Sequence, residues 1–196
     1  MVAGSEHVFR KVNIAVPPAV SRPGTGRIEV GKIFAVDGTA QRSLFIADAS
    51  AMFTPMLRQA LSDAGLNPVA LDSTPADDKP PPGVDFILDT EIETIAVNKM
   101  YGADETVHGQ YFDMKARVVV KYRLRNRGGK ILSEGEASGV EKEPPDPVGK
   151  EVFLPLETEP VESLSVALSR ALGKLILQLK QSNAFPAPAT EPPPIK

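Results

Sequence analysis

The chain has 196 residues, of which 42% are hydrophobic and 6% aromatic, with a net charge of −3 and no cysteine. This length and apolar content suit one globular domain with extensions. The acidic balance argues against a protein whose whole surface binds nucleic acid. The absence of cysteine excludes disulfides, thiolate metal sites and cysteine nucleophiles.

The N-terminal segment, MVAGSEHVFRK, has no long apolar run, so it does not predict a signal peptide. No segment reaches the roughly 18–20 apolar residues that a membrane-spanning helix requires. Val12, Ile14 and Val16 alternate with smaller or polar residues, which predicts a first strand. A second strand is predicted over 27–36, where apolar residues again occupy even positions.

A helix is predicted within 50–65, because apolar residues recur there at spacings of three and four. Ser50 and Thr54 are both candidate N-caps, Thr54 because a proline follows it. Gly65 is the expected residue beyond the C-terminal end of the helix. A short strand is then predicted over 69–71.

Three strands with charged faces are predicted over 85–97, 115–125 and 130–140. In the first, the even positions are the core face and the odd positions carry Asp and Glu. The second strand has apolar even positions and mostly basic odd positions, and the third carries Glu on its even face. A basic strand between two acidic ones is therefore expected, with the charges facing solvent.

The dipeptide Gly128-Gly129 predicts the hairpin turn between the last two of these strands, give or take one residue. A two-residue turn there places three pairs of residues opposite one another: Arg123 and Glu134, Lys121 and Glu136, and Tyr122 and Gly135. Each such pair contributes only about 0.2–1 kcal/mol, but together the pairs fix the strand register.

A second helix is predicted after the proline-interrupted connection 144–160, with Thr158 as its cap. Its apolar stripe runs for about five turns and consists of Val161, Leu164, Leu168, Ala171, Leu172, Leu175, Ile176 and Leu179. From Ser182 onward we expect a Pro/Ala tail without core residues, disordered or in polyproline II conformation.

These elements predict an α/β (α+β) fold with a mixed, mainly antiparallel sheet and two helices packed on one face. The domain organisation expected from them is an N-terminal strand and extension over 1–26, a single domain over 27–182 and a Pro-rich tail over 183–196.

Few side chains are placed to form a catalytic or metal site. His7 and His108 are far apart in the sequence and lie in polar surroundings. The carboxylates over 85–93 share one strand face, but the predicted Lys and Arg neighbours favour charge pairing over glycosidase-like acid–base catalysis. The run GTG at 24–26 precedes a strand, whereas a phosphate-binding loop follows one and opens a helix. We therefore expect no catalytic residues, no metal and no cofactor.

A nucleic-acid site is considered for the basic block 115–130, which holds seven Lys and Arg residues and no acid. Stacking aromatic residues are not interleaved on its basic face, as binding of single-stranded nucleic acid would require. Neutralisation by the neighbouring acidic strands is the favoured interpretation, and we expect no nucleic-acid partner.

Three stretches together resemble a known family. They are RIEVGKIFAV before a helix ending in LSDAGLNPV, FILDTEIETIAV before ARVVVKYRLRNRGGKILSEGEASG, and PVESLSVALSRALGKLILQLKQ. Over roughly 27–181 the chain resembles the ABC-type transport auxiliary (PqiC-like) periplasmic lipoproteins. The resemblance implies a non-enzymatic accessory protein facing the periplasm and anchored to the outer membrane. The lipidated cysteine of that family has no counterpart in this sequence.

The leading hypothesis is an envelope accessory or assembly lipoprotein that contacts other envelope proteins, or further copies of itself, in trans-envelope transport. The alternative is a small-ligand or lipid-binding periplasmic module, and the third is an enzyme of unrecognised type. Aromatic and apolar residues in the predicted loops are the candidate partner-binding sites: Tyr101, Tyr111, Phe112, Val152, Phe153 and Leu154.

Overall fold

The structure is a computed structural model. It describes residues 12–34, 38–73, 81–104, 109–147, 159–182 and 184–185, and over 99–104, 109–114, 142–147 and 159–160 it describes the backbone alone. Within these residues the elements are β1 (Asn13–Val16), β2 (Val20–Ser21), β3 (Ile28–Phe34), β4 (Ala40–Ile46), α1 (Ala49–Asp63), β5 (Asn67–Ala70), β6 (Phe86–Asp104), β7 (Gly109–Asn126), β8 (Ile131–Pro147) and α2 (Glu159–Gln181).

Strand β6 is the axis of a single mixed sheet. One of its edges pairs in succession with β1, β2 and β3, all parallel to it. Its other edge pairs with β7 in antiparallel fashion, and β7 pairs with β8 in the same way. Strand β5 lies outside β1, and β4 lies outside β3. The predicted mixed, mainly antiparallel α+β fold is therefore confirmed.

Two strands in the first half of the chain were not predicted, β2 and β4. Strand β4 reads AQRSLFI, and most of its residues are exposed or half-buried. Its large apolar residues, Leu44, Phe45 and Ile46, are consecutive at its C-terminal end, so no regular alternation marks it. Strand β2 has two residues and has no pattern of its own.

The N-cap of α1 is Asp48 and not Ser50 or Thr54. The Asp48 carboxylate accepts a hydrogen bond from the Ala51 backbone N–H at 3.0 Å, which satisfies one of the unpaired donors of the first turn. Thr54 lies inside the helix. Its buried hydroxyl oxygen accepts instead from the Ala19 N–H at 3.0 Å and ties α1 to the segment after β1.

The C-terminal end of α1 is as predicted. Gly65 has a φ of 86°, in the left-handed region that glycine adopts without strain. The N–H of Leu66 donates to the Leu61 carbonyl at 3.1 Å, and that of Gly65 donates to the Ser62 carbonyl at 2.9 Å. This pattern satisfies carbonyl groups that the last turn would otherwise leave unpaired.

Both helices cover the same face of the sheet, where one core cluster joins them to the strands. Leu168, Leu172 and Leu175 are buried in it, as predicted. Val161 is 63% exposed, so the predicted stripe is wrong at its first member. Val161 and Glu162 are exposed, and Ser163 is the first residue of α2 that is described as buried.

The segment after α2 contributes to the core, contrary to the expectation for residues beyond Ser182. Phe185 is buried and lies edge-to-face with Phe86, with 5.5 Å between the ring centroids. The chain therefore packs against the start of β6 after the helix has ended. Residues 186–196 lie outside the described part of the chain.

Candidate functional site

The hairpin of β7 and β8 has the predicted register. Arg123 is opposite Glu134, Lys121 is opposite Glu136 and Tyr122 is opposite Gly135. This agreement supports the argument from charge phasing, because a shift by one residue would have exchanged the two faces of the strand.

The hairpin turn itself differs slightly from the prediction. The Gly129 N–H donates to the Asn126 carbonyl at 2.9 Å, and Gly129 has a φ of 76°. The loop therefore has three residues, with glycine in the left-handed position. A register shift between Leu124 and Arg125 compensates for the extra loop residue and restores the predicted pairing.

Acidic β6 lies on the other side of basic β7, as expected, but the ion pairs are not all directly across the strands. Arg125 Nε donates to Asp89 Oδ2 at 2.7 Å, and Lys121 Nζ donates to Glu93 Oε1 at 2.7 Å. Both pairs are diagonal, because the register sets Asp89 opposite Arg123 and Glu91 opposite Lys121. Long side chains reach diagonal neighbours across a strand pair.

Arg22, which the sequence analysis did not select, completes this network. Its guanidinium lies 2.6 Å from Glu91 and 3.4 Å from Glu93. It follows β2, which pairs with β6 at Glu91 and Ile92. No local pattern indicated this contact, because it depends on β2 joining the edge of β6.

A β-bulge at Glu93 explains why the core face predicted for β6 holds only in its first half. The register shifts between Ile92 and Thr94, so one residue of β6 has no partner on β7. After the bulge Ile95 and Val97 are buried, whereas Thr94 and Ala96 are only half-buried. The expectation that even positions continue to face the core is therefore wrong beyond Ile92.

The charges around the bulge lower the pKa of Glu93 below its ordinary value. The main cause is the hydrogen bond from the Lys121 ammonium, which stabilises the carboxylate. The positive charges of Lys121, Arg22 and Arg117 act in the same direction, and partial desolvation opposes them. Glu93 is thus held as a charged partner in the network.

The outer face of β6, β7 and β8 forms an open concavity of about 640 Å³. Acidic and basic side chains line it together with Val20. The lining residues are Val20, Asp89, Thr90, Glu91, Lys121, Tyr122, Arg123, Glu134, Gly135 and Glu136. The surface is concave, and its cations and carboxylates largely pair with one another.

A second groove, of about 490 Å³, lies between α1 and α2 on the helical face. Gly173 lies beside the groove and adds no side chain to it. The apolar residues that line it are Met56, Ala60, Ala64, Leu172 and Ile176. The sequence analysis did not identify this groove, since the contact between the two helices has no local signature.

The predicted partner-binding residues divide into two groups. Tyr101, Tyr111 and Phe112 were expected in a loop, but they lie in β6 and β7, where the ladder continues to Asp104 and Gly109. Tyr and Phe favour strands, and the pairing continues through them. Tyr101 is directly opposite Phe112.

The second predicted group, comprising Val152, Phe153 and Leu154, lies outside the described residues, as do both histidines. Among the residues that the structure describes, no three His, Asp or Glu side chains are grouped as metal ligands. Neither of the described helices is long and apolar enough to cross a membrane.

The sequence matches no family model and no curated protein. Several solved structures are similar to it, among them the following three. A Xanthomonas campestris protein of the family DUF330 aligns over 87% of this chain and 84% of its own length, with 11% identity and a TM-score of 0.46. A Neisseria meningitidis lipoprotein, GNA1162, aligns over 87% and 99%, with 14% identity and a TM-score of 0.39.

The third is a Helicobacter pylori protein named as a neuraminyllactose-binding hemagglutinin homologue. It aligns over 92% of this chain and 90% of its own length, with 9% identity and a TM-score of 0.50. At this identity the likeness concerns the fold alone.

Proposed function

We propose that the chain is a non-enzymatic accessory or assembly protein of the cell envelope, which acts through protein contacts in trans-envelope transport. The proposal rests on one observation, that the acidic residues on β6 are engaged in ion pairs. Asp89, Glu91 and Glu93 each form an ion pair, with Arg125, Arg22 and Lys121 respectively. Carboxylates that are engaged by neighbouring cations suit a structural role, and the lowered pKa of Glu93 is the opposite of what a general acid requires.

The envelope location in the proposal rests on the sequence resemblance to ABC-type transport auxiliary lipoproteins. It implies a periplasmic protein anchored to the outer membrane by a lipidated cysteine that is not among the 196 residues. The fold shared with the Helicobacter pylori protein, whose name describes a binding function, supports a binding role.

The proposed contact surface is the far end of the β6–β7 hairpin. Among the described residues, β3 pairs with β6 as far as Met100, and β6 and β7 pair with each other as far as Asp104 and Gly109. Beyond Met100, β8 is the only other described strand that pairs with this hairpin, and β8 ends at Pro147. Tyr101, Tyr111 and Phe112 belong to this end, and aromatic residues are enriched at protein interfaces.

The test replaces Tyr101 and Phe112 with Asp, one at a time, and measures binding to a solubilised envelope fraction by chemical cross-linking. Leu177→Asp is the control, because Leu177 is a 53% exposed apolar residue on α2. We expect the cross-linked species seen with the wild-type chain to be lost in the two hairpin variants and to remain in the control. The melting temperatures of all variants should be similar to that of the wild type. Unchanged cross-linking in both hairpin variants would reject this surface. A wild-type chain that forms no cross-linked species would reject the assembly function.

The groove between the helices favours a second candidate function, the binding of a lipid or small apolar ligand. Its apolar residues offer a surface for an acyl chain, since ligand sites are mostly apolar with few polar groups. The test is the binding of a fluorescent fatty acid to the wild-type chain and to Gly173→Leu, which would fill the groove. Equal binding by both, or none by the wild type, excludes this site.

A further inference from the structure

The outer face of the sheet, which lies opposite the helices, carries basic residues of β7 on both sides of the bulge at Glu93. On the side towards the hairpin turn, Lys121 and Arg123 each have an acid directly opposite them on both neighbouring strands. These acids are Asp89 and Glu91 on β6 and Glu134 and Glu136 on β8. The predicted neutralisation of the basic strand by its neighbours is therefore found on this side of the bulge.

Beyond the bulge the acids end, although the basic residues of β7 continue. Because Glu93 has no partner on β7, the residues of β6 that share the outer face change from odd to even numbers. Arg117 is consequently opposite Ala96 on β6, and its neighbour on β8 is Val140. The neutralisation predicted for the whole basic strand does not extend to this position.

Lys115 has no directly opposite acid either. It lies two residues from Arg117 on the same face, roughly 7 Å away along the strand. It is opposite Asn98 on β6 and Lys142 on β8. Like charges at directly opposite positions destabilise a sheet, so the register creates a local excess of positive charge.

This positive charge is accessible to a partner. Lys115 and Arg117 are exposed, and within the part of the chain that the structure describes neither forms a hydrogen bond or an ion pair. Val140, beside Arg117, is an aliphatic residue that is 40% exposed. The backbone of β7 already pairs with β6 on one side and with β8 on the other. A partner can therefore contact this surface only through side chains.

We infer that Lys115, Arg117 and Val140 contact the surface of an anionic lipid membrane. Lys and Arg bind phosphate oxygens, Arg through paired N–H donors, and anionic headgroups attract basic residues at a membrane surface. The exposed valine suits the boundary between the headgroups and the acyl chains. A protein partner that adds a strand is not accommodated here, because β7 has no free edge.

The inference deepens the proposed function, on which its setting in the cell envelope rests, by naming an anionic lipid surface as one partner. It concerns lipid headgroups on the outer face of the sheet. The groove between α1 and α2 lies on the opposite face and would take an acyl chain, so the two sites can be tested separately.

Flotation with lipid vesicles tests the surface. We expect the wild-type chain to float with vesicles that contain phosphatidylglycerol in a phosphatidylcholine background, but not with phosphatidylcholine alone, and to bind less tightly as salt is added. Lys115→Gln and Arg117→Gln should each weaken binding about fivefold, the contribution of one basic residue near an anionic surface. Both variants should keep the wild-type melting temperature, because neither side chain is paired.

Arg123→Gln is the matched control for these variants. Arg123 is exposed on the same face of the same strand, and its replacement changes the net charge equally, but its guanidinium lies 3.5 Å from Glu134. Since Glu134 already offsets its charge, we expect binding close to that of the wild type.

A complementary variant supplies the missing acid. Val140→Glu sets a carboxylate directly opposite Arg117, as Glu134 is opposite Arg123, and should abolish flotation with phosphatidylglycerol. Leu177→Glu is its control, because Leu177 is also an exposed apolar residue but lies on α2. This control should float as the wild type does.

A wild-type chain that does not float with phosphatidylglycerol, or a variant lacking both Lys115 and Arg117 that floats as the wild type does, overturns the inference. Equal losses in Arg117→Gln and Arg123→Gln would mean that net charge alone governs binding, which also overturns it. Release from the vesicles by inorganic phosphate, but not by chloride at equal ionic strength, would assign the residues to free phosphate instead of a membrane.

The outcomes for lipid and for protein partners are separable. If flotation fails while the Tyr101 and Phe112 variants still lose their cross-linked species, the proposed function stands and the lipid contact is rejected. If flotation behaves as expected but no envelope protein is cross-linked, the lipid contact stands and the assembly function is rejected.

Discussion

The carbonyl oxygen of Ala167 lies where a side chain at Gly139 would have to be. A methyl group added to Gly139 would overlap this carbonyl and crowd the backbone N of Ala171. Ala167 and Ala171 are themselves fully buried, so α2 meets β8 through three of the smallest residues. Close packing of this kind leaves little space for relaxation, because protein interiors are packed as densely as organic crystals.

Gly139→Ala should therefore destabilise the protein. The added methyl meets backbone atoms, which cannot turn away as a side chain can, and overpacking typically costs about 1–3 kcal/mol. Gly173→Ala is the control, because a Cβ at that exposed helical position meets nothing within 4 Å; replacing glycine inside a helix should stabilise by about 0.5–1 kcal/mol. Urea unfolding of both variants measures the difference, and equal stabilities would contradict the close contact.

Leu172→Ala should lower the free energy of unfolding by about 2–5 kcal/mol, because it removes a buried side chain and leaves a cavity. Leu172 is 5% exposed on α2, whereas Leu177, one and a half turns later, is 53% exposed. Leu177→Ala serves as the control and should change stability little. A cost below about 0.5 kcal/mol for Leu172→Ala, small against that expected range, would show that the stripe is not core.

Two truncations separate the packed end of the domain from the Pro-rich tail. Cutting after Phe185 should leave the melting temperature within a degree or two, since a segment this rich in proline and poor in apolar residues buries little. Cutting after Asn183 also removes Phe185 and its contact with Phe86, and burial of one Phe is worth about 1.5–3 kcal/mol. Similar melts for the two truncations would mean that the ring contact contributes nothing.

Glu93→Gln should change the pH dependence of stability. The pKa of Glu93 is lowered in the folded state, chiefly by the Lys121 hydrogen bond. Its contribution is therefore fully present above the ordinary Glu pKa of 4.5 and is lost as the pH falls through the lower folded value. Wild type and variant should differ most near neutral pH and converge in acid.

The same comparison in a Lys121→Met background supplies the control for the Glu93 experiment. Without the ammonium group, the Glu93→Gln change should have a smaller effect at neutral pH, and the double-mutant cycle reports the coupling. An effect of Glu93→Gln that is the same in both backgrounds would assign the stability to a contact other than Lys121.

The periodic parts of the fold were predictable from the sequence. Apolar and charged residues alternate with period two along β7 and β8, and a glycine pair marks the turn, so local information fixed the pairing of Arg123 with Glu134. The same reasoning placed Leu168, Leu172 and Leu175 in the core, because a helical stripe of this width can be buried on only one side.

The secondary structure around the candidate contact residues was not predicted from the sequence. Tyr101 and Phe112 were selected because no regular pattern included them, and the structure pairs them directly across β6 and β7. Their position depends on how far the β6–β7 ladder continues, to Asp104 and Gly109, which no local pattern indicated. Whether they bind a partner remains a prediction.

The amino-acid sequence by itself thus determined the elements with strong periodicity, the charge ladder and the absence of cysteine chemistry. Tertiary structure alone decided that β1, β2 and β3 line one edge of β6, that Arg22 joins Glu91 and Glu93, and that β4 is left at an edge. The physical reason is the range of the interactions. Alternation and turns depend on residues that are close along the chain. Parallel pairing and edge position depend on strands that long connections bring together, and no local pattern indicates which strands will pair.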